Sequence, residues 1–327
     1  MDAFIEQLPF FTPEHRNLAQ SVGNFVSREI ESLAYEEADV DRRTRDYVSL
    51  LSQAGLLRYA VAQPGTKLDV RSLCLIREAL AYSSALADVA FVMQGLGTFA
   101  ISQAAPDHVR DFWLGRAGEG KAIAAFALTE PEAGSDVAAI KTSARREGET
   151  YVIDGVKRFI SNAGVADFYT VFARTGTSED GRARLSAFVV GARLPGFSVT
   201  ERTSMIAPHP IGQIKFDGCR VPAEDMIGND GDGFRLAMET LDLFRSSVGA
   251  AACGMAARAL SEALNFATNR RQFGRLLAEH PADRVQSRAR HPVSHRPGLS
   301  WDDRRGARHG TRRGSGAVRV VSAVPAL

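Results

Sequence analysis

Phe126-Ala127-Leu128-Thr129-Glu130-Pro131-Glu132-Ala133-Gly134-Ser135-Asp136 is the stretch on which the reading of this chain turns. Small and apolar residues, the makings of a strand, stop at a hydroxyl, a carboxylate, a proline and a glycine. Such a break frees backbone N–H groups and sets a serine hydroxyl beside them, which suits a flat heterocycle or a phosphate. The same residue types build ordinary turns, so by itself the stretch fits a turn as well as a site.

The hydrophobic period differs on the two sides of this stretch. From Thr12 to about Glu119 it is helical. Thr12 is an N-cap candidate with Pro13 at the first helical position. Leu18, Val22, Phe25, Val26, Ile30 and Leu33 then follow at 3.6-residue spacing. Further helices are expected over 42–57, 70–86 and 88–105, with a short one opened by Pro106. From 122 to about 225 short alternating runs take over. Residues 151–153 and 156–160 read as a hairpin around Asp154-Gly155, the pair a type I′ turn needs. More strands are expected over 169–173, 185–190, 197–200 and 213–216, with Pro222 as an exit. After the loop 228–233 one long helix is expected, from Phe234 to Asn269, its length implying a bundle. The expected fold class is α+β and multidomain: an N-terminal all-α domain over 1–121, a central antiparallel β domain over 122–230, and over 231–282 the long helix that begins a C-terminal helical bundle.

Composition excludes several classes. With 45% hydrophobic and 24% charged residues in 327, the chain is of the soluble globular kind. The most apolar stretch, 85–105, is interrupted by Asp88, Gln94, Gly95, Gly97 and Gln103 and reads as a buried helix pair. Met1-Asp2-Ala3-Phe4-Ile5-Glu6 has no basic region of a signal peptide. Cys74, Cys219 and Cys253 are scattered in apolar contexts and read as reduced core thiols of a cytoplasmic protein. Gly95-Leu96-Gly97 has Ala100 where a dinucleotide fingerprint needs its third glycine. His291 and His295 have metal-pair spacing but enclose Pro292 and lack an adjacent Glu. All seven histidines read as surface residues, and no metal site is expected.

Four segments carry a resemblance. The opening stretch resembles the T-E-P-x-A-G-S-D signature of the acyl-CoA dehydrogenase family. Lys157-Arg158-Phe159-Ile160-Ser161-Asn162-Ala163-Gly164 resembles its K-x-W/F-I-T/S-N-A/G-G segment, Leu241-Asp242-Leu243-Phe244-Arg245 its L-D-x-x-R, and Arg270-Arg271-Gln272-Phe273-Gly274 its R-x-Q/T-F-G. The four come in the family's order and spacing, over residues 1 to about 282. The resemblance implies FAD as cofactor, held by Phe126, Leu128, Thr129, Gly134, Ser135, Phe159, Ile160 and Ser161. Leu128 and Thr129 would meet the pyrimidine edge, Ser135 the diphosphate or ribityl region, Phe159 the ring and Ser161 the flavin N5. Arg270, Gln272 and Phe273 would reach the FAD of a neighbouring subunit in a homo-oligomer, a dimer or tetramer. Ser135, Asp242 and Arg245 would contact an acyl-CoA substrate, and an electron-transfer flavoprotein would accept the electrons. The reaction implied is α,β-desaturation of the thioester, in which a carboxylate removes the α proton as hydride leaves the β carbon. A flavin oxidase or monooxygenase on the same fold, or a non-catalytic remnant that binds flavin or CoA esters, are the other functions this resemblance leaves open.

The family's base is a Glu in a late Y-E-G loop or, in a minority, a Glu next to the long-helix arginine. No such loop is present, and the second position is Phe244, so no catalytic base is expected in this chain. From Asp283 on the family pattern stops. Residues 283–327 hold ten arginines, no lysine and three aspartates, a formal +7 that leaves −5 for the rest. A basic arm would suggest nucleic acid or a membrane surface. The segment also lacks Glu, Ile, Phe, Met, Tyr and Asn, as GC-rich coding sequence does when read out of frame. The expectation is therefore a frameshift or truncation after about 282, a disordered aberrant tail, and no nucleic-acid or membrane partner.

Overall fold

The computed structural model of the chain describes residues 8–179 and 181–280. They form two units, one reaching Met255 and the other starting at Ala256. The expected tail over 283–327, with His291 and His295, lies outside the described residues.

In the first unit, helix α1 spans Pro13–Phe25 and buries Leu18, Val22 and Phe25 as their spacing requires. The Thr12 N–H donates to His15 Nδ1 (3.1 Å) at its start. His15 is itself buried, with Nε2 bonded to the Asp69 carboxylate, which corrects its reading as a surface histidine. Helix α2 covers Val40–Gln53, capped by the Asp39 carboxylate, which accepts from the Arg42 N–H (3.0 Å). It ends before the expected 57 because Gly55 turns left-handed at φ +67°, and Leu57 joins a separate 3₁₀ turn. Helices α3 (Val70–Ser83), α4 (Ala85–Ala104) and α5 (Asp107–Gly118) follow. Ser84 divides α3 from α4, its Oγ accepting from the Ala87 N–H (3.0 Å).

The apolar stretch is thus one helix rather than a pair. By length and composition α4 could cross a membrane, yet 78% of its most apolar window is buried inside the protein. Its polar groups are satisfied there. Asp88 takes two 2.7 Å bonds from the Arg77 guanidinium. The Gln94 amide donates to the Ala117 and Ala122 carbonyls (3.0 and 2.8 Å), and its oxygen accepts from the Ala124 N–H (2.8 Å).

The strands are β1 (Ala124–Ala127), β2 (Ser143–Glu147), β3 (Thr150–Ser161), β4 (Phe168–Thr177), β5 (Ala183–Gly191), β6 (Phe197–Arg202), β7 (Ile211–Pro222) and β8 (Met226–Ile227). Seven lie in the order β6-β7-β3-β2-β4-β5-β8, and β1 joins β4. Most pairs are antiparallel, as expected, but β1 runs parallel to β4, and β2 meets β4 in parallel at Ser143, so the sheet is mixed.

The expected hairpin at Asp154-Gly155 does not form. Residues 150–161 are one strand, paired with β7 on both sides of a bulge where the register jumps from Ile153/Cys219 to Gly155/Phe216. Gly155 has φ +150°, and a Cβ there would meet Thr142 Oγ1 at 2.5 Å. The two-residue turn is instead Gly148-Glu149, between the paired Glu147 and Thr150. It closes onto β2, whose Ser-Ala-Arg-Arg-Glu has no β-branched or aromatic residue to announce a strand. Helices and sheet share a core in which Val22, Tyr47, Leu51 and Phe91 meet Ile153, Tyr169, Phe188 and Phe216.

Helix α6 runs Gly233–Asn269; its part in the first unit buries Leu236, Ala237, Phe244, Ala250 and Ala251. In the second unit Arg271–Gln272 (β9) and Arg275–Leu276 (β10) pair around Phe273-Gly274, both at positive φ.

Candidate functional site

The opening stretch is both a turn and one wall of a cavity. After β1, Glu130 and Ala133 exchange backbone hydrogen bonds (2.9 and 3.3 Å) across Pro131-Glu132, which leaves Gly134 and Ser135 exposed beyond. The Glu130 side chain turns inward and accepts from the N–H groups of Lys141 (2.6 Å) and Thr142 (3.0 Å) and from Lys157 Nζ (2.8 Å). Lys157, fully buried on β3, also donates to the Leu128 carbonyl (2.9 Å), and the Arg158 N–H donates to the Thr129 carbonyl (2.9 Å). Burial pushes the Lys157 pKa down to about 8 against the pull of Glu130. For Glu130 burial acts upward, but the Lys157 ammonium and the donors around it hold the carboxyl below its ordinary range. The Lys157–Glu130 ion pair (2.8 Å), with the Lys157 bond to the Leu128 carbonyl, locks Leu128-Thr129 to β3.

Beyond Lys157 the β3/β7 register slips again, between Lys157 and Ile160. Phe159 takes φ +55° and Asn162 φ +63°, a left-handed backbone that costs a non-glycine residue about 1–3 kcal/mol. Asn162 is held by its Nδ2 donating to the Ala124 carbonyl (2.9 Å). The bulge swings the Phe159 ring outward, 54% exposed, with the Arg158 guanidinium 4.9 Å from its centroid. Ser161 Oγ lies 2.9 Å from His209 Nε2. His209 is half-buried rather than a surface residue, and burial lowers its pKa.

These segments border a cavity of about 680 Å³. Of the residues expected at a site, Phe126, Leu128, Thr129, Gly134, Ser135, Phe159, Ile160, Ser161 and Arg245 line it. Asp242 does not; it is exposed and paired with Arg245 one turn along α6. Arg270, Gln272 and Phe273 belong to the second unit, where Phe273 is 92% exposed. Met93 and Leu96 of α4 and Phe234, Met238 and Leu241 of α6 complete the apolar walls. Sequence reasoning missed them because an apolar residue at helical spacing looks the same facing a cavity as facing a core. The Gly95 and Gly97 pair was the available signal. A Cβ on Gly97 would stand 2.6 Å from the Ala124 Cβ and one on Gly95 2.6 Å from the Phe244 ring, so Gly97 brings α4 against β1 and Gly95 brings it against α6, with Leu96 between them at the cavity. Phe244 is buried edge-on to Phe99 (centroids 6.2 Å apart), outside the lining.

The cavity combines an exposed aromatic face, apolar walls and hydroxyl donors. The Thr129 and Ser135 hydroxyls make no hydrogen bond among the described residues. Its charged lining residues are Asp136 and Arg245. Such a site accepts a flat, partly apolar heterocycle with polar edges.

Family models agree with this architecture. Those for the N-terminal, middle and C-terminal domains of acyl-CoA dehydrogenase match residues 12–121, 125–219 and 231–287. A probable acyl-CoA dehydrogenase of Mycobacterium leprae is 33% identical over 268 residues, 80% of this chain and 68% of the relative. The butyryl-CoA dehydrogenase of Megasphaera elsdenii superposes with a TM-score of 0.74 at 28% identity, over 85% of this chain and 75% of that one. An acyl-CoA dehydrogenase of Bacillus anthracis, solved as a complex with FAD, gives 0.73 at 29% identity, over 86% of this chain and 50% of that one. The chain belongs to the acyl-CoA dehydrogenase family.

Proposed function

We propose that this chain carries the flavin seat of a FAD-dependent acyl-CoA dehydrogenase, whose reaction is α,β-desaturation of an acyl-CoA thioester, and that the cavity between β1, β3 and α6 is that seat, without the base the reaction needs among the described residues. The left-handed Phe159 carries this reading. A large apolar ring is held outward at a conformational cost beside hydroxyls that lack partners, which is reasonable only where a ligand covers it. Bound FAD supplies a hydride acceptor at N5.

The residues present fit that group. Phe126, Leu128, Phe159 and Ile160 offer apolar surface to the ring system, and Gly134 lets backbone approach closely. Thr129, Ser135 and Ser161 offer hydroxyls to its polar edges. Arg245, with Asp242 beside it, meets the polar part of the acyl-CoA. Arg270 between α6 and β9, with Gln272 and Phe273 of the β9–β10 ribbon, reaches the cofactor of a neighbouring subunit in a homo-oligomer. Reducing equivalents leave to an electron-transfer flavoprotein. The three cysteines are free thiols, consistent with a cytoplasmic setting.

Removing the α proton needs a carboxylate in a dry pocket. Asp136 is the one carboxylate of the described lining, and it is exposed; Phe244 is buried and apolar. The described residues thus supply the seat and not the base. Reconstitution with FAD followed by anaerobic titration with acyl-CoAs of several chain lengths tests both parts. A perturbed flavin spectrum without bleaching is expected. Failure to take up FAD overturns the seat, and rapid bleaching overturns the missing base.

A further inference from the structure

His209 takes no place in the lining of the cavity, yet its Nε2 lies 2.9 Å from the Ser161 hydroxyl, which does line it. The histidine is held there by the chain on both sides. It stands between Pro208 and Pro210, in the connection from β6 to β7, and a residue followed by proline is confined to extended backbone. One residue past Pro210, Ile211 pairs with Ser161 across β7 and β3, and its N–H donates to the His209 carbonyl (2.9 Å). Ser161 is therefore gripped twice by one short segment, through its backbone and through its hydroxyl.

The direction of that side-chain bond matters. A serine hydroxyl has one proton. If imidazole accepts it, only lone pairs face the cavity; if imidazole donates, the serine proton is free to point inward. Neutral imidazole offers Nε2 either way, depending on its tautomer. Nδ1 makes no hydrogen bond among the described residues, so no protein group forces the less favoured Nδ1–H form. Burial depresses the His209 pKa, and no charged neighbour among the described residues opposes it.

We propose that His209 is a positioning residue for the cavity: its Nε2–H donates to Ser161 Oγ and turns the Ser161 proton toward the bound cofactor. This rests on the proposed function only for the identity of that cofactor. Ser161 is the group in contact; His209 acts through it.

The test uses the full chain and FAD. Affinity is read from quenching of flavin fluorescence in wild type, His209→Gln, His209→Asn, Ser161→Ala and the double variant His209→Asn/Ser161→Ala. Glutamine places an amide donor near the Nε2 position, and asparagine does not. His209→Gln is expected to bind FAD as wild type does, and His209→Asn to bind about threefold to tenfold more weakly, the size of one lost neutral hydrogen bond. In the Ser161→Ala background His209→Asn should have no further effect. An equal loss there, or a Gln variant as weak as the Asn variant, makes His209 merely structural and overturns the proposal. In parallel, ¹⁵N NMR of labelled histidine in the protein without FAD reads the tautomer. Nε2–H, with a shift that changes on Ser161→Ala, is expected, and Nδ1–H overturns the proposal. If wild type takes up no FAD, the proposed function fails, and the NMR measurement alone decides the role of His209.

Discussion

Lys157 and Glu130 show at the scale of single residues why this cavity keeps its shape. The ammonium is fully buried, and its partners are a carboxylate and the Leu128 carbonyl, both from the segment that forms the cavity wall. Breaking such a pair from one side strands a buried charge and costs about 3–5 kcal/mol, whereas removing both partners costs far less. Lys157→Met is accordingly expected to lower the urea midpoint sharply, and Lys157→Met/Glu130→Gln to regain much of the loss; a double variant no better than the single would refute the coupling. The pair also sets a pH window. Because the Glu130 carboxyl is held below its ordinary value of 4.5, its contribution is complete above that value and disappears as pH falls through the lower native one. Wild type should thus lose more stability between neutral and acid pH than the double variant, as measured by denaturation at a series of pH values. Phe159 is the opposite case, a residue whose local conformation is unfavourable. Phe159→Gly relaxes the backbone, and is expected to leave the thermal midpoint unchanged or higher while weakening FAD uptake. A loss of both would mean that the ring supports the fold.

At the scale of elements, close backbone approach does the positioning. Helix α4 lies on β1 through Gly97, where an added Cβ would meet the Ala125 amide nitrogen at 2.9 Å as well as the Ala124 Cβ at 2.6 Å. Thr170 of β4 completes the contact by donating to the Gly97 carbonyl (2.7 Å). Alanine is the better helix former, but here the added methyl meets backbone that cannot move aside. Gly97→Ala is expected to destabilise by about 1–3 kcal/mol, the cost of an overpacked core. Gly254 of α6 stands in the same relation to α3, where a Cβ would fall 2.2 Å from the Glu78 carbonyl oxygen. Of the two variants, only Gly97→Ala should also weaken FAD binding, because only it moves Leu96 and β1, which border the cavity. Equal effects of both on FAD binding would contradict that assignment.

Across the molecule, α6 carries exposed apolar side chains within the first unit: Phe234 and Met255 are 46% and 41% exposed, and Val248 is 58% exposed. Phe234 belongs to the cavity, but Val248 and Met255 present a face left exposed among the described residues. Exposed apolar surface of this kind favours self-association. The chain is expected to bind a hydrophobic dye and to elute as concentration-dependent aggregates, and Val248→Lys to reduce both. A discrete, dye-silent tetramer from wild type would show that the face is covered. The candidate cofactor seat draws on α4, β1, β3 and α6, so loss of FAD and loss of tertiary structure should coincide on heating.

Much of this was legible in the chain itself. Period assigned the helices and most strands, because burial of one face repeats at fixed intervals whatever the surroundings. Thr129, Ser135, Phe159 and Ser161 could be singled out because they sit in contiguous motifs that resemble the family's; without that resemblance their residue types fit a turn as well as a site. Other features were decided only by tertiary structure. Asp154-Gly155 has the chemistry of a hairpin turn, yet its flanks pair with β7, a partner some sixty residues away, and long-range pairing overrode the local preference. Strand β2 exists because β3 holds it, its own residues having no leaning that way. His209 is silent in sequence. It acquires meaning only when β7 lays its segment beside the end of β3 and the imidazole meets Ser161. Local sequence specifies what a residue can do, whereas neighbours distant in the chain determine what it touches.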